Sequence, residues 1–156
     1  IVANMQPNWL QLDGGILMKQ FGEARTAMFI PLRTLFDRNV MIGGGSDHMQ
    51  KIGSFRSINQ YNPFLGMWTA IARTPRWMDK PFHPEQAITR EEAIRLYTIN
   101  NAFILHDEDK KGSLEKGKLA DLIVVDRDLL TCPLEDLPQT KVLRTYLGGK
   151  LIYEAK

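Results

Sequence analysis

Asp47 is the residue of this sequence whose type and setting are most suited to chemistry. It ends the stretch VMIGGGSD at residues 40–47, in which an apolar run leads into three glycines and then Ser46. A buried strand that ends in glycines and delivers one carboxylate is a common way to build an active-site rim, because glycines accept unusual backbone angles and let a ligand approach closely. Glycine-rich turns are also frequent as plain structure, with the aspartate capping the next turn. The stretch therefore predicts a candidate site, with a structural turn as the alternative.

A carboxylate at this position could bind a divalent metal and accept a proton from a metal-bound water. A catalytic zinc, however, typically needs three protein ligands. The sequence contains only His48, His83 and His106, without HxH, HExxH or CxxC spacing. His48 is expected to point away from its neighbour Asp47 in an extended segment, unless a tight turn intervenes. His83 is expected in a loop and His106 at a helix end, so this chain does not predict a complete metal site.

Other chemistries fit the same region less well. The glycines could form an anion-binding nest of backbone amides, but the GxxxxGK[ST] pattern is missing. Nucleophilic catalysis by Ser46 would need a base and an orienting group, and the surrounding residues do not match GxSxG. Arg25, Arg33 and Arg73 could hold a substrate carboxylate, although ordinary salt bridges are the more frequent role of such arginines.

Composition excludes several classes of function. The 156 residues are 44% hydrophobic and 24% charged, which is typical of one soluble globular unit. Lysine and arginine total 20 against 18 acidic residues, with no basic run, so we expect no nucleic-acid partner. No apolar run approaches the roughly 18–20 residues of a membrane span. The start lacks a signal peptide and an initiating Met, so we expect a cytoplasmic chain that begins mid-sequence, with export left open. The lone Cys132 excludes an internal disulfide.

Apolar periodicity predicts that the first part is a parallel α/β arrangement. A strand at Ile1–Met5 is closed by Gln6-Pro7, because Pro7 cannot donate to the sheet, and the polar residues Asn4 and Gln6 would lie at its carboxyl end. Residues 8–22 are expected to be a loop with some helix. A helix around Leu32–Arg38 and a strand at Val40–Gly43 follow.

The second part of the chain is predicted to contain two helices and then a small β unit, separated by polar segments. Residues 51–61 and 73–84 are expected to be loops. Asn62-Pro63 is typical of a helix start, and the capping box at Thr89–Glu92 opens a helix to about His106. After the charged residues 107–111 we expect a small β unit, with a strand at Leu119–Val125 and a hairpin at Gly148-Gly149.

Three segments together give the chain a resemblance to the metal-dependent amidohydrolase superfamily, in particular its YtcJ-like group (amidohydrolase family 3). IVANMQP at residues 1–7 resembles the family's seventh barrel strand, and VMIGGGSD its eighth. GSLEKGKLADLIVVDRD at residues 112–128 is similar to the return from barrel to β-sandwich. TREEAIRLYTINNA and KVLRTYLGGKLIYE fit the preceding helix and the closing hairpin. The resemblance covers nearly the whole chain.

The resemblance implies an α/β fold, the C-terminal part of a (β/α)₈ TIM-like barrel followed by strands of a small β-sandwich. Residues 1–111 would be incomplete barrel units and residues 112–156 part of the composite sandwich. The implied activity is hydrolysis of amide-type, non-peptide C–N bonds in a small molecule, with one or two divalent metals, usually zinc. By analogy, Asp47 is the catalytic and metal-shell residue, and Gln6, Ser46 and His48 are candidate substrate contacts.

The same resemblance implies that this chain is not self-sufficient. The family's HxH and its later metal-binding Lys and His positions have no counterpart here, and about two βα units cannot close a barrel of about 250 residues. Trp9 stands where the family often has His, and His48-Met49 where it often has Ala-Pro. We therefore expect an enzyme segment that needs the N-terminal portion of the same enzyme and is inactive alone. A non-catalytic structural module, able to form homo-oligomers, is the alternative.

Overall fold

The chain forms two small sheets joined by a set of helices. The computed structural model describes residues 1–47 and 61–156. Its elements in order are β1 (Val2–Met5), α1 (Asn8–Thr26), α2 (Leu32–Asp37), β2 (Met41–Gly44), α3 (Pro63–Ala72), α4 (Arg90–Tyr97), α5 (Ile99–Ile104), β3 (Leu122–Val125), β4 (Val142–Leu147) and β5 (Lys150–Glu154). Short 3₁₀ helices occupy Pro84–Gln86 and Leu134–Gln139. This is a mixed α/β fold, as the sequence predicts.

Strands β1 and β2 pair in parallel. Val2 lies opposite Met41, and the pairing continues in register to Met5 opposite Gly44. The predicted strand–helix–strand order is therefore confirmed, although β2 lies one residue later than the predicted Val40–Gly43. Because both strands run the same way, the residues that follow each of them meet at one edge of the sheet.

The main core lies between β2 and the helices α2, α3 and α4. Ile42 of β2 is completely buried, and it belongs to a cluster with residues from α2, α3 and α4. The members of this cluster are Leu32, Ile42, Phe64, Met67, Ala70, Ile88, Ala93 and Leu96. Burial of apolar surface of this kind is the main favourable term in folding, and here it holds β2 against the helical layer.

Both predicted helix starts are present. Asn62 Oδ1 accepts hydrogen bonds from the backbone N–H of Phe64 and Leu65, which leaves Pro63 at the first position of α3. Thr89 and Glu92 form the reciprocal capping box that opens α4. These local rules hold because each cap satisfies donors that the helix itself leaves unpaired.

The region predicted as a loop with some helix, residues 8–22, is instead helical as far as Gly22, whose φ of 75° and ψ of 170° interrupt α1. Gly14 and Gly15 lie inside this helix because other segments pack closely against them. A Cβ on Gly14 would lie 2.9 Å from Pro75 Cγ, and one on Gly15 would lie 3.1 Å from the carbonyl oxygen of Arg76. The two glycines therefore give other segments room to pack against α1 and do not mark a loop.

The helix predicted from Thr89 to about His106 is broken at Thr98, whose φ of −126° and ψ of −98° are not helical. After the break, two side chains of α5 hydrogen-bond to β2. Asn100 Nδ2 donates to the Ile42 carbonyl at 2.8 Å. The Asn101 amide bonds both the N–H and the C=O of Gly44, at 3.1 and 2.9 Å. These bonds hold α5 against β2.

The C-terminal strands form an antiparallel sheet in the order β3, β4, β5. The hairpin between β4 and β5 turns at Gly148 and Gly149, both with left-handed φ, as their sequence predicts. Strand β3 begins three residues later than the predicted Leu119. The division of the chain at residue 111 remains a prediction.

Two further predictions concern particular segments. The loop expected at residues 51–61 falls, except for Tyr61, outside the described residues. Of the helices in residues 1–47 and 61–156, none is long and apolar enough to cross a membrane.

Candidate active site

The candidate site lies at the carboxyl end of the β1–β2 pair. The Gly45 N–H donates to the Met5 carbonyl at 2.9 Å and extends the pairing by one residue. Asn4 and Gln6 lie beside this extension. A Cβ placed on Gly45 would lie 3.4 Å from Asn4 Oδ1 and 3.8 Å from Gln6 Nε2. Gln6 is therefore next to the segment that carries Asp47, as expected for a residue that follows β1.

The three glycines provide space and not unusual backbone angles. None of Gly43, Gly44 and Gly45 adopts the left-handed backbone, whereas five other glycines of residues 1–47 and 61–156 do. A Cβ on Gly43 would collide with Ile104 and Asn101, and one on Gly44 would lie 3.0 Å from Leu96 Cγ. The expectation of unusual backbone angles at these glycines was wrong, and the first two instead make room for helices α4 and α5.

The hypothesis of an anion-binding nest also loses support. The Gly44 N–H donates to Asn101 Oδ1, and the Gly45 N–H donates to the Met5 carbonyl. Amides that already donate inside the protein do not form an anion-binding concavity.

Asp47 itself is exposed and has a left-handed φ of 44°. Its Oδ2 accepts a hydrogen bond from the indole Nε1 of Trp9 at 3.1 Å. Non-glycine residues rarely adopt this backbone, although aspartate is among the more tolerant. Ser46 is half-buried beside it, and His48 lies outside the described residues. The site thus presents one carboxylate, with amides from Asn4 and Gln6 nearby.

Trp9 is the residue that the sequence-based site omits. It is the second residue of α1, which begins directly after β1, so it lies at the same sheet edge as Asp47. Its distance of three residues from Gln6 was visible in the sequence, but the contact depends on the parallel pairing of β1 and β2.

The two histidines in the described residues lie apart from this carboxylate's contacts. His83 is buried, with Nε2 3.0 Å from Thr26 Oγ1 and Nδ1 3.2 Å from Glu85 Oε1. His106 follows the end of α5, as predicted. Within residues 1–47 and 61–156, no three His, Cys, Asp or Glu side chains are grouped closely enough to hold a metal ion.

Two of the candidate substrate-binding arginines have structural partners. Arg33 forms a two-pronged ion pair with Glu92, with both N–O distances 2.8 Å, and this hydrogen bonding raises the pKa of Arg33. Arg73 is completely buried and donates to the carbonyls of Phe82, Ile30 and Phe29. Burial lowers the pKa of Arg73 to about 10, which leaves it charged at neutral pH.

Comparison with known proteins gives the family. The model of the amidohydrolase family matches residues 1–153, and the chain belongs to this family. The N-substituted formamide deformylase of Arthrobacter pascens is 40% identical over 124 residues, which are 80% of this chain and 21% of that protein. The putative amidohydrolase YtcJ of Bacillus subtilis is 26% identical over 156 residues, 99% of this chain and 28% of that protein. The resemblance to the YtcJ-like group is thereby confirmed.

Solved structures of hydrolases also resemble this chain. An uncharacterized metal-dependent hydrolase from Pyrococcus furiosus has a TM-score of 0.62 and 26% identity, over 82% of this chain and 24% of that one. An adenosine deaminase from Xanthomonas campestris with bound zinc has a TM-score of 0.56 and 25% identity, over 78% of this chain and 27% of that one. The matched part of this chain corresponds to only 21% of the length of the formamide deformylase and 28% of the length of YtcJ.

Proposed function

We propose that this chain is the C-terminal segment of a metal-dependent amidohydrolase that hydrolyses an amide-type C–N bond in a small, non-peptide molecule. The observation that carries the proposal is the position of Asp47, at the carboxyl end of a parallel strand pair in a chain of this family. Barrel enzymes place their chemistry at this end of their strands. The relative named as a deformylase of N-substituted formamides supports a small amide as the substrate class.

The donor set of the described residues fits one part of a metal site. The exposed Asp47 carboxylate can supply one oxygen ligand, and a zinc site needs further His, Asp, Glu or Cys ligands. We propose that these come from an upstream portion of the same enzyme, since relatives are several times longer than this chain. A bound zinc would lower the pKa of a coordinated water towards neutrality.

The chain's own residues then have distinct roles. The Asp47 carboxylate accepts a proton from the attacking water and returns it to the leaving nitrogen, so it acts first as base and then as acid. Gln6, which lies near Gly45, and Ser46, the sequence neighbour of Asp47, would hydrogen-bond polar atoms of the substrate. His48 stays a candidate for a substrate contact on sequence grounds alone.

The exposed face of the C-terminal sheet supports the need for an upstream portion. Ile123 and Tyr153 lie on the same face because both pair with Thr145, and they are 48% and 50% exposed, although large apolar strand residues usually pack in a core. We propose that strands of the upstream portion cover this face and complete a β-sandwich, while further strands complete the barrel beside β1 and β2. The same face also favours the alternative, a non-catalytic module that forms homo-oligomers.

Zinc content and amide hydrolysis test the proposal in two proteins, this chain alone and the chain joined to an upstream portion. We expect the chain alone to hold no stoichiometric zinc by mass spectrometry and to show no turnover. The longer protein should bind zinc and hydrolyse small amides, and Asp47→Asn should remove most of its turnover. Asp79→Asn, at another exposed aspartate, is the matched control and should change little.

Two results would overturn the proposal. Tightly held zinc in the chain alone would show that ligands from elsewhere are not needed. A zinc-loaded longer protein that keeps full turnover with Asp47→Asn would remove Asp47 from the chemistry. A longer protein without zinc or turnover, whose chain self-associates through the C-terminal sheet, would favour the non-catalytic module.

A further inference from the structure

The indole of Trp9 donates a hydrogen bond to the candidate base, Asp47. Its Nε1 lies 3.1 Å from Asp47 Oδ2. The two residues are 38 positions apart in sequence, so the bond is a tertiary contact and not a local turn. It connects the first turn of α1 with the segment that follows β2.

Buried residues surround Trp9 in the first turn of α1. Its neighbours Asn8 and Leu10 are 2% and 1% exposed. The Leu10 N–H donates to the Pro7 carbonyl at 2.9 Å, which holds the helix start to the end of β1. The Trp9 ring is itself half-buried. The backbone that carries Trp9 is therefore held by buried neighbours, whereas Asp47 is exposed and its short side chain could rotate.

The chemistry of the indole limits what Trp9 can do. An indole N–H donates a hydrogen bond but accepts none, and it has no lone pair for a cation at that nitrogen. It therefore can neither relay the proton of Asp47 nor ligate a metal. The indole N–H can hydrogen-bond Oδ2 of Asp47, and it then leaves Oδ1 available to another partner.

We propose that Trp9 is a positioning residue, which fixes the Asp47 carboxylate so that Oδ1 is the oxygen presented to the reacting water and leaving nitrogen. This inference rests on the proposed function, since it assigns Trp9 a role only through Asp47. A catalytic base must lie within hydrogen-bond reach of its proton, and a misplacement of about 1 Å can cost about 100-fold in rate. The effect of losing the indole donor should therefore fall on kcat and not on KM.

The other two tryptophans provide internal references for a spectroscopic test. Trp77 is 84% exposed, so its indole N–H reports a solvent-exposed environment. Trp68 Nε1 is buried and has no hydrogen-bond partner among the described residues. Hydrogen exchange of the three indole N–H groups, followed by ¹⁵N NMR, thus separates a bonded, an exposed and a buried unbonded donor in one sample.

We expect the Trp9 indole N–H to exchange roughly tenfold more slowly than that of Trp77, as for a hydrogen bond to a charged acceptor. Asp47→Ala should bring the Trp9 rate close to that of Trp77, while Asp47→Asn, which keeps an acceptor oxygen, should retain most of the protection. An unchanged Trp9 rate in Asp47→Ala would overturn the inference. This measurement needs neither zinc nor turnover.

A kinetic measurement on the hydrolytic, longer protein tests the positioning role. Trp9→Phe keeps the ring but removes the donor, and we expect kcat to fall by about tenfold to 100-fold with KM within about twofold. Trp9→His restores a ring N–H and should recover part of the loss. Trp77→Phe is the control and should leave kcat unchanged. Full kcat in a folded Trp9→Phe protein would overturn the inference.

The two proposals can fail separately. If Asp47→Asn is inactive but Trp9→Phe is fully active, the proposed function stands and the positioning role is wrong. If Asp47→Asn is fully active, the proposed function is wrong, and Trp9 then has no catalytic group to position.

Discussion

Alanine substitutions along Gly43, Gly44 and Gly45 should destabilise the protein in a graded series. The three residues share a strand end and an ordinary backbone, so they differ mainly in the space around a new methyl group. A Cβ on Gly43 would overlap Ile104 Cδ1 and Asn101 Oδ1. On Gly44 it would lie 3.0 Å from both Leu96 Cγ and Tyr97 Cζ, and on Gly45 its nearest neighbour would be Asn4 Oδ1 at 3.4 Å.

The magnitudes follow from these contacts. Overpacking a buried site costs about 1–3 kcal/mol. For Gly43→Ala, displacing Asn101 also weakens its two hydrogen bonds to Gly44, at about 1 kcal/mol for each bond lost. We therefore expect a loss of about 3 kcal/mol for Gly43→Ala, about 1–2 kcal/mol for Gly44→Ala, and a change within about 0.5 kcal/mol for Gly45→Ala.

Thermal unfolding followed by circular dichroism measures the series. For a protein of this size each kcal/mol shifts Tm by about 2–4 °C, so Gly43→Ala should lower Tm by roughly 6–12 °C while Gly45→Ala leaves it nearly unchanged. Equal losses at all three positions would refute the reasoning, because they would show that backbone freedom and not space explains the glycines. A largest loss at Gly45 would refute it as well.

Two further predictions concern buried and half-buried charges. Arg73→Met should lower the unfolding free energy by about 3 kcal/mol or more, because the carbonyls of Phe82, Ile30 and Phe29 lose their donor. Arg76→Met is the control and should change stability little, since the Arg76 guanidinium lies over the exposed Trp77 ring. Equal urea midpoints for the two variants would contradict the prediction. Burial of Glu92 opposes its ionisation, but hydrogen bonds from Arg33 and Thr89 outweigh this effect and lower the pKa of Glu92. The charged Glu92 therefore stabilises the fold fully above the ordinary glutamate pKa of about 4.3. This contribution is lost as the pH falls through the lowered pKa. Glu92→Gln should therefore be less stable than the parent at pH 7, with the difference in urea midpoint shrinking in acid, and a difference independent of pH would count against the ion pair.

Local signals predicted the parts of this fold that depend on neighbouring residues. Asn62-Pro63 and Thr89–Glu92 start helices α3 and α4 because their side chains cap backbone donors two or three positions away. Gly148-Gly149 turns the hairpin because both residues adopt left-handed angles. Alternating strands and helices likewise predicted the parallel pair of β1 and β2.

Predictions failed where a distant segment decided the outcome. Residues 8–22 are predicted to be a loop with some helix, yet Gly14 and Gly15 lie in α1, where Pro75 and Arg76 pack against them. The helix expected to reach His106 breaks at Thr98, and Asn100 and Asn101 then bond β2, more than fifty residues away in sequence. Neither effect has a signature within a short window of sequence.

The sequence by itself determined that Asp47 follows a strand and that the chain resembles an amidohydrolase, because strand ends and family motifs are properties of contiguous residues. It also placed Gln6 at the end of the neighbouring strand. Only the tertiary structure decided that Gly43 and Gly44 give room to helices α4 and α5, and that Trp9 donates to Asp47. The physical reason is that both depend on which segments lie side by side, and parallel pairing brings together residues that the chain separates by 38 positions.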